Sequence, residues 1–167
     1  MDPALGGFAS QSPIPQTPAI KFFVAGRPRT KNKRKAFVVR KKGKVVGARV
    51  VQPEEDKEKQ RAFAAVAQDY APPTPWTCPV RLDLLFVMPI ARSWPKKKRD
   101  AAVAGTLQHT STPDTSRLTT FVEDALTGVM YLDDSLVVEL HASKVFGHKP
   151  GVHVTLTQVE GESSSGR

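Results

Sequence analysis

The sequence predicts an α/β (α+β) domain in which a small mixed β-sheet is packed by two or three helices. Two observations carry this prediction. Short apolar and β-branched runs recur between glycines, prolines and basic loops, a pattern typical of strands. Two longer stretches repeat their apolar residues every three to four positions, as a helix with one buried face does. At 167 residues the chain is long enough for one such core and short for two.

The first half of this domain is expected to hold three strands and a helix. Residues 19–26 form an apolar run that ends at a glycine, and residues 35–51 read as two β-branched runs folded about a turn at Gly43. Pro53 and the three acids after it predict a helix start, because proline and negative charge suit the first turn. The apolar stripe of this helix, which we expect to be buried, consists of Phe63, Val66, Ala67 and Tyr70.

The second half alternates strands and helices. Residues 80–89 are almost continuously apolar, which favours a strand inside a sheet. Residues 93–105 predict a basic loop that enters a short helix, and residues 116–128 repeat apolar positions with the helical period. Two alternating segments, 136–146 and 151–159, are then expected to pair as antiparallel strands across the GHKPG turn.

The ends of the chain differ from this core in composition. Residues 1–18 are rich in proline and small polar residues, so we expect a disordered N-terminal segment. The folded domain is predicted to span residues 19–159, followed by a disordered tail at 160–167.

Charge and cysteine content narrow the classes of function. Lysine and arginine number 25 against 16 acids, a net charge of +9, which favours nucleic acid as a partner and a membrane surface less strongly. The single cysteine, Cys78, excludes an internal disulfide and a cysteine-rich zinc site. The most apolar run, residues 84–91, is too short to cross a bilayer. We therefore expect a cytoplasmic protein that binds no membrane.

Three aspartates stand at the two ends of the second predicted helix. Asp114 precedes it, with Thr115 or Ser116 expected as the N-cap, while Asp133 and Asp134 follow in a turn. One interpretation is structural, with Asp114 helping to cap the helix and the adjacent pair solvated. The other is a magnesium site, because magnesium needs only one or two protein carboxylates in addition to water and phosphate oxygens.

Two basic clusters are candidates for contacts with phosphates. One lies beside Trp94, whose indole could stack on a base. A solvated face or a nuclear import signal would account for the same basic residues. The other, residues 27–35, holds six basic residues within nine. The candidates from both clusters are Arg29, Lys31, Lys33, Arg34, Lys96, Lys97, Lys98 and Arg99.

Several strings, taken in order, resemble the RusA family of Holliday-junction resolvases, which phages and prophages often carry. They are "SWPKKKRDAAVAG", "HTSTPD", "DALTG", "YLDDSLVVEL" and "ASKVFGHKPGVHVTL", and the likeness extends from about Ile20 to Val159. The resemblance implies a homodimer that binds four-way DNA junctions. With Mg²⁺, or with Mn²⁺ in its place, such an enzyme makes paired nicks in recombination and repair.

The resemblance also assigns roles to the aspartates. The family helix begins with Asp, any residue, Asp and Asn, with a Lys four positions after the second Asp, and a further Asp comes from the later pair. Asp114 matches the first acid and Asp134 the last, which implies that both are catalytic metal ligands, with Asp133 in support.

The centre of the family motif is missing from this chain. Ser116, Arg117 and Thr120 stand where the family has Asp, Asn and Lys. Losing a carboxylate and gaining a nearby cation both weaken a metal site. Arg117, Arg99 or Lys144 could supply the positive charge of the missing Lys. We also count Arg117 and Lys144 among the expected DNA contacts.

Three functions remain open at this level. The first is a magnesium-dependent endonuclease for branched DNA. The second is a junction-binding protein of the same fold whose cleavage is weak or absent. The third is a general nucleic-acid-binding module whose affinity comes from its charge.

Overall fold

The computed structural model describes residues 19–31, 35–51 and 54–160. These residues form six strands and three α-helices. In chain order the elements are β1 (Ala19–Ala25), β2 (Lys35–Lys41), β3 (Lys44–Val51), α1 (Glu54–Gln68), β4 (Val80–Pro89), α2 (Lys96–Val103), α3 (Thr115–Leu126), β5 (Val137–Gly147) and β6 (Gly151–Gln158). A short 3₁₀ turn, Asp134–Leu136, precedes β5. The predicted N-terminal segment and nearly all of the predicted tail lie outside the described residues, as do Lys33 and Arg34.

Four strands form one mixed sheet in the order β1, β6, β4, β5, and β2 and β3 form a separate hairpin. The predicted fold class is therefore confirmed. The expected β5–β6 pair is wrong: β5 pairs with β4 in parallel, while β6 lies between β1 and β4 and is antiparallel to both. The reason is that β4 is the most apolar strand and takes a central place with partners on both sides, so the turn after β5 must cross it.

The core lies between one face of the sheet and the helices α1 and α3. Alternate residues of β4 and β6 face it, and α3 contributes its apolar stripe. The buried side chains include Leu82, Leu84, Phe86, Val154 and Leu156 from the sheet and Leu118, Phe121, Val122, Ala125 and Leu126 from α3. Phe63 of α1 meets Phe121 edge to face, with ring centres 6.1 Å apart, which joins the two helices.

The predicted buried stripe of α1 is only half correct. Phe63 and Ala67 are buried, whereas Val66 and Tyr70 are 36% and 49% exposed. Tyr70 lies beyond the last residue of the helix, and its ring stacks on Phe22 at 5.2 Å with its other side toward solvent. The helix therefore buries a narrower face than its sequence period predicts.

The start of α3 also differs from the prediction. Asp114, in an extended conformation, is the N-cap, rather than Thr115 or Ser116. A cis peptide bond between Thr112 and Pro113 precedes it, and the helix is followed by Gly128 at φ 79°. None of the helices in the described part of the chain has the length and apolar character needed to span a membrane.

Candidate functional site

Asp114 lies in a cleft lined mainly by positively charged side chains. Three segments form this cationic cleft: the loop after β1, one residue of α1, and the turn that leads into α3 together with the first turn of that helix. The lining residues are Arg27, Pro28, Arg29, Thr30, Lys59, Thr112, Pro113, Asp114 and Arg117. Four cations thus surround one carboxylate in a space of about 370 Å³.

The side chain of Asp114 is not used as a helix cap. Its backbone carbonyl accepts the hydrogen bond from the Leu118 amide at 3.1 Å, but its carboxylate makes no capping hydrogen bond. The carboxylate is 59% exposed, and its Oδ2 lies 3.6 Å from Nε of Arg117. The capping interpretation is therefore wrong for the side chain, whose negative charge stays available in the cleft beside the positive end of α3.

Lys144 fixes the turn from which Asp114 projects. From β5, its ammonium donates hydrogen bonds to the carbonyl oxygens of Ser111 at 3.1 Å and Pro113 at 2.9 Å. Hydrogen bonds from a charged donor are among the stronger ones in proteins. The side chain thus holds the backbone on the approach to Asp114, and a direct contact of Lys144 with DNA stays a prediction.

The two later aspartates have different surroundings. Asp133 accepts a hydrogen bond from the Ser135 amide at 2.9 Å, which caps the 3₁₀ turn. Hydrogen bonding to Ser135, through its side chain first and its amide second, lowers the pKa of Asp133. Asp134 is exposed in the first position of that turn. It does not line the cationic cleft, and it lies near the C-terminal half of α3, where its charge acts on Glu123.

Glu123 is an acid of this region that sequence reasoning missed. Burial, and after it the charge of Asp134, raise the pKa of the Glu123 carboxyl. Glu123 stands seven residues after Ser116 and three after Thr120, so all three share one stripe of α3. That spacing was the signal that could have identified it.

The basic residues of α2 are arranged differently from the prediction. Lys96, Lys98 and their neighbours form the first turn of α2 rather than a loop. The ammonium of Lys98 lies 4.0 Å from the centre of the Trp94 ring, and Lys96 pairs with Asp100 at 3.1 Å. One face of the indole is therefore covered by Lys98 and is not free to stack on a base. Lys97 and Arg99 are exposed.

The basic loop after β1 lies against α3. Lys31 forms an ion pair with Asp124, and Arg29 lines the cationic cleft. Arg27 and Lys59 also line the cleft but were not selected from the sequence. Arg27 belongs to the same basic run, whereas nothing in the one-dimensional pattern distinguishes Lys59 from other lysines of α1.

Comparison with known proteins decides the family. The family model described as "Endodeoxyribonuclease RusA" matches residues 25–157 of this chain. The chain belongs to the RusA family. A protein of Bacillus subtilis (strain 168) named "Uncharacterized protein YqaN" is 34% identical to it over 142 residues, which cover 84% of this chain and 96% of that protein.

The positions at which we predicted a departure from the RusA motif lie on the exposed side of α3. Ser116 and Thr120 are both exposed, and the Thr120 hydroxyl donates to the carbonyl oxygen of Ser116 at 3.0 Å. Arg117 is oriented toward Asp114. The first turns of α3 therefore present two hydroxyl groups and one cation at these positions, and their equivalence to the family's acid, amide and lysine stays a prediction.

RusA resolvases generally depend on a divalent metal, which needs carboxylate or similar ligands from the protein. Among the residues that the structure describes, no three acid, histidine or cysteine side chains are grouped to hold an ion. Asp114, Glu123 and Asp134 nevertheless offer the carboxylate oxygens that Mg²⁺ prefers, and one or two are enough when substrate phosphate supplies further ligands. The donor chemistry fits an ion that binds together with DNA.

Proposed function

We propose that this RusA protein is a structure-selective endonuclease that hydrolyses phosphodiester bonds of four-way junctions or other branched DNA, with Mg²⁺ or Mn²⁺ as cofactor. One observation carries the proposal. Asp114 projects from the N-terminus of α3 into a cleft whose other charged side chains are cations. A phosphate group is the anion that such a cleft would place beside a catalytic carboxylate.

The cleft supplies the binding part of the reaction. Arg27 and Arg29 offer planar donor groups that match two phosphate oxygens at once, and Lys59 adds a point charge. Arg117, 3.6 Å from Asp114, stands where it would neutralise charge that develops on the phosphate, which is the task of the missing family lysine.

The carboxylates supply the metal-binding part. Asp114 and Asp134 would hold the ion. Burial and then the charge of Asp134 raise the pKa of Glu123, and a cation bound near Asp134 would offset that charge. When bound, the ion polarises the phosphate and lowers the pKa of a coordinated water. Asp133 acts through the backbone, because its hydrogen bond to the Ser135 amide fixes the turn that carries Asp134.

A homodimer suits this substrate. Two protomers related by a two-fold axis would present two equivalent clefts to two equivalent strands of a junction. Paired nicks in strands of like polarity are the expected products.

A nicking assay tests the proposal. The full chain is incubated in excess with a labelled synthetic four-way junction or with a linear duplex of the same sequence, in Mg²⁺ or Mn²⁺. Nicks should appear in the junction and not in the duplex, and Asp134→Asn should abolish them. Intact junctions in both metals, with the protein folded and bound, would contradict the proposal.

A second function is favoured by the surroundings of Asp114. Its ion pair with Arg117 and the hydroxyls at Ser116 and Thr120 describe a site suited to holding a phosphate more than a cation. The protein would then bind junctions and cleave them slowly or not at all. Tight junction binding that chelator leaves unchanged, with no nicked product in Mg²⁺ or Mn²⁺, would identify this function. Equal affinity for duplex and junction would instead identify a general nucleic-acid-binding module.

A further inference from the structure

The hairpin of β2 and β3 has no role in the function proposed above. It forms a two-stranded sheet of its own, apart from the four-stranded sheet. Lys42 and Gly43 make its turn, both at positive φ, as in the two-residue turns that keep hairpins twisted. The pairing shifts register between Val39 and Arg40, an irregularity that strengthens the twist of a ribbon.

The outer part of this hairpin is exposed on both faces. Residues 38–45 are all exposed, and Val38 and Val39 are 57% and 45% accessible. Consecutive strand residues point to opposite faces, so neither face of the ribbon is covered at that level. A two-stranded hairpin is only marginally stable in water by itself, and a surface that covers it would stabilise it.

The charge of the hairpin indicates the chemistry of the partner that would cover it. Four of the five residues at the tip are basic, and residues 35–51 contain no acid. The basic tip, as we name this group, consists of Arg40, Lys41, Lys42 and Lys44. Charges of one sign at this density repel one another, and a polyanion relieves the repulsion while releasing its own counterions.

The hairpin is also joined by short segments of chain to residues that line the cationic cleft. Arg29, six residues before β2, and Lys59, eight residues after β3, both line the cleft. A strand of this length extends about 20 Å from its base, at roughly 3.3 Å per residue. A duplex held by its backbone in the cleft therefore lies within reach of the basic tip.

The geometry points to a second DNA contact, in which the basic tip enters a groove of the duplex arm whose backbone occupies the cationic cleft. This inference rests on the proposed function only in that the cleft binds DNA. The major groove, about 12 Å wide, admits a two-stranded ribbon, and phosphates line both of its edges. The hairpin would bind the arm without regard to base sequence and would orient the junction relative to Asp114.

Binding measured in chelator tests this contact without cleavage. A hairpin variant, R40Q/K41Q/K42N/K44Q, removes four charges and keeps the turn, because asparagine tolerates the positive φ of position 42. A control variant removes four charges elsewhere: K21Q, K57Q, R61Q and K149Q. The dissociation constant for a four-way junction is measured against salt concentration for both variants and for the native chain.

The hairpin variant should bind at least about tenfold more weakly than the control. Its slope of log affinity against log salt should fall by about 3.6 in magnitude if all four side chains contact phosphates, since each lost contact removes about 0.9. Equal slopes for the two variants would overturn the inference. A change in oligomeric state with unchanged DNA binding would also overturn it, because the hairpin would then contact a second protein chain. A native chain that binds through the hairpin but never nicks would contradict the proposed endonuclease alone.

Discussion

The ammonium of Lys144 lies 2.9 Å from the carbonyl oxygen of Pro113, which links the edge strand β5 to the turn before α3. A second hydrogen bond reaches Ser111. Since Asp114 follows Pro113 directly, the position of its carboxylate depends on a lysine thirty residues further along the chain. The two hydrogen bonds make Lys144 a positioning residue for the cationic cleft.

Lys144→Met tests this positioning role. The substitution keeps the apolar stem and removes the donor, so both carbonyl groups lose a charged partner. We expect the free energy of unfolding in urea to fall by about 2 kcal/mol. Junction nicking should fall by at least about tenfold, because small displacements of a catalytic group lower rates strongly. Lys21→Met, on the exposed side of β1, is the matched control, and equal behaviour of the two variants would contradict the role.

Restoring the family motif should increase cleavage. The double variant Ser116→Asp with Thr120→Lys replaces two exposed hydroxyls by the family's acid and lysine. A second carboxylate beside Asp114 strengthens a magnesium site, so we expect the single-turnover nicking rate to rise by at least about tenfold. An unchanged rate in a folded double variant would show that these positions are not the equivalents of the family residues.

Two substitutions at Asp133 separate a structural from a direct role. Serine keeps an oxygen that accepts the Ser135 amide, while alanine leaves that amide without its cap. If Asp133 acts only through the turn, Asp133→Ser should nick within about twofold of the native rate and Asp133→Ala much more slowly. Equal losses in both variants would instead assign the Asp133 charge to metal binding.

His109 should make stability depend on pH. Burial, followed by the positive charges of Lys144 and Arg27, lowers the pKa of His109 below its ordinary value, and its ring packs on Phe146. Below the unfolded pKa, near 6.5, the unfolded chain binds a proton that the folded chain resists, so stability decreases as the pH falls.

The measurement compares urea unfolding from pH 7 to pH 5. The stability of the native chain should decrease relative to His109→Phe over this range, because the variant has no proton to bind at that position. His148→Phe, in the exposed turn after β5, is the control. Parallel curves for native chain and His109→Phe would contradict the account.

Sequence patterns predicted the elements better than their arrangement. The apolar positions Leu118, Phe121, Val122, Ala125 and Leu126 correctly predicted the buried face of α3, and the continuous apolar run of β4 correctly predicted a place inside the sheet. The alternation in β5 and β6 identified two strands but carries no information about which strand pairs with which. Their expected pairing failed because β4 occupies the place between them.

The candidate site was predicted only in part, because the sequence identifies charged residues but not which of them the fold brings together. Asp114, Asp133 and Asp134 stand out in a basic sequence, and Arg29 belongs to a dense basic run. Lys59 belongs to α1, which is distant in sequence from Asp114, and only the packing of α1 brings its side chain to the cleft. The use of Lys98 to cover Trp94 likewise follows from side-chain directions in the first turn of α2.

Asp114→Asn gives the most direct test of the claim that this carboxylate acts on a phosphate held by the surrounding cations. Junction affinity in chelator and single-turnover nicking in Mg²⁺ are measured for the native chain and the variant. Nicking should fall by at least about a hundredfold while affinity stays equal or increases, because a negative charge is removed from a cationic cleft. A variant that nicks at the native rate, or one that loses affinity in proportion to rate, would contradict the claim.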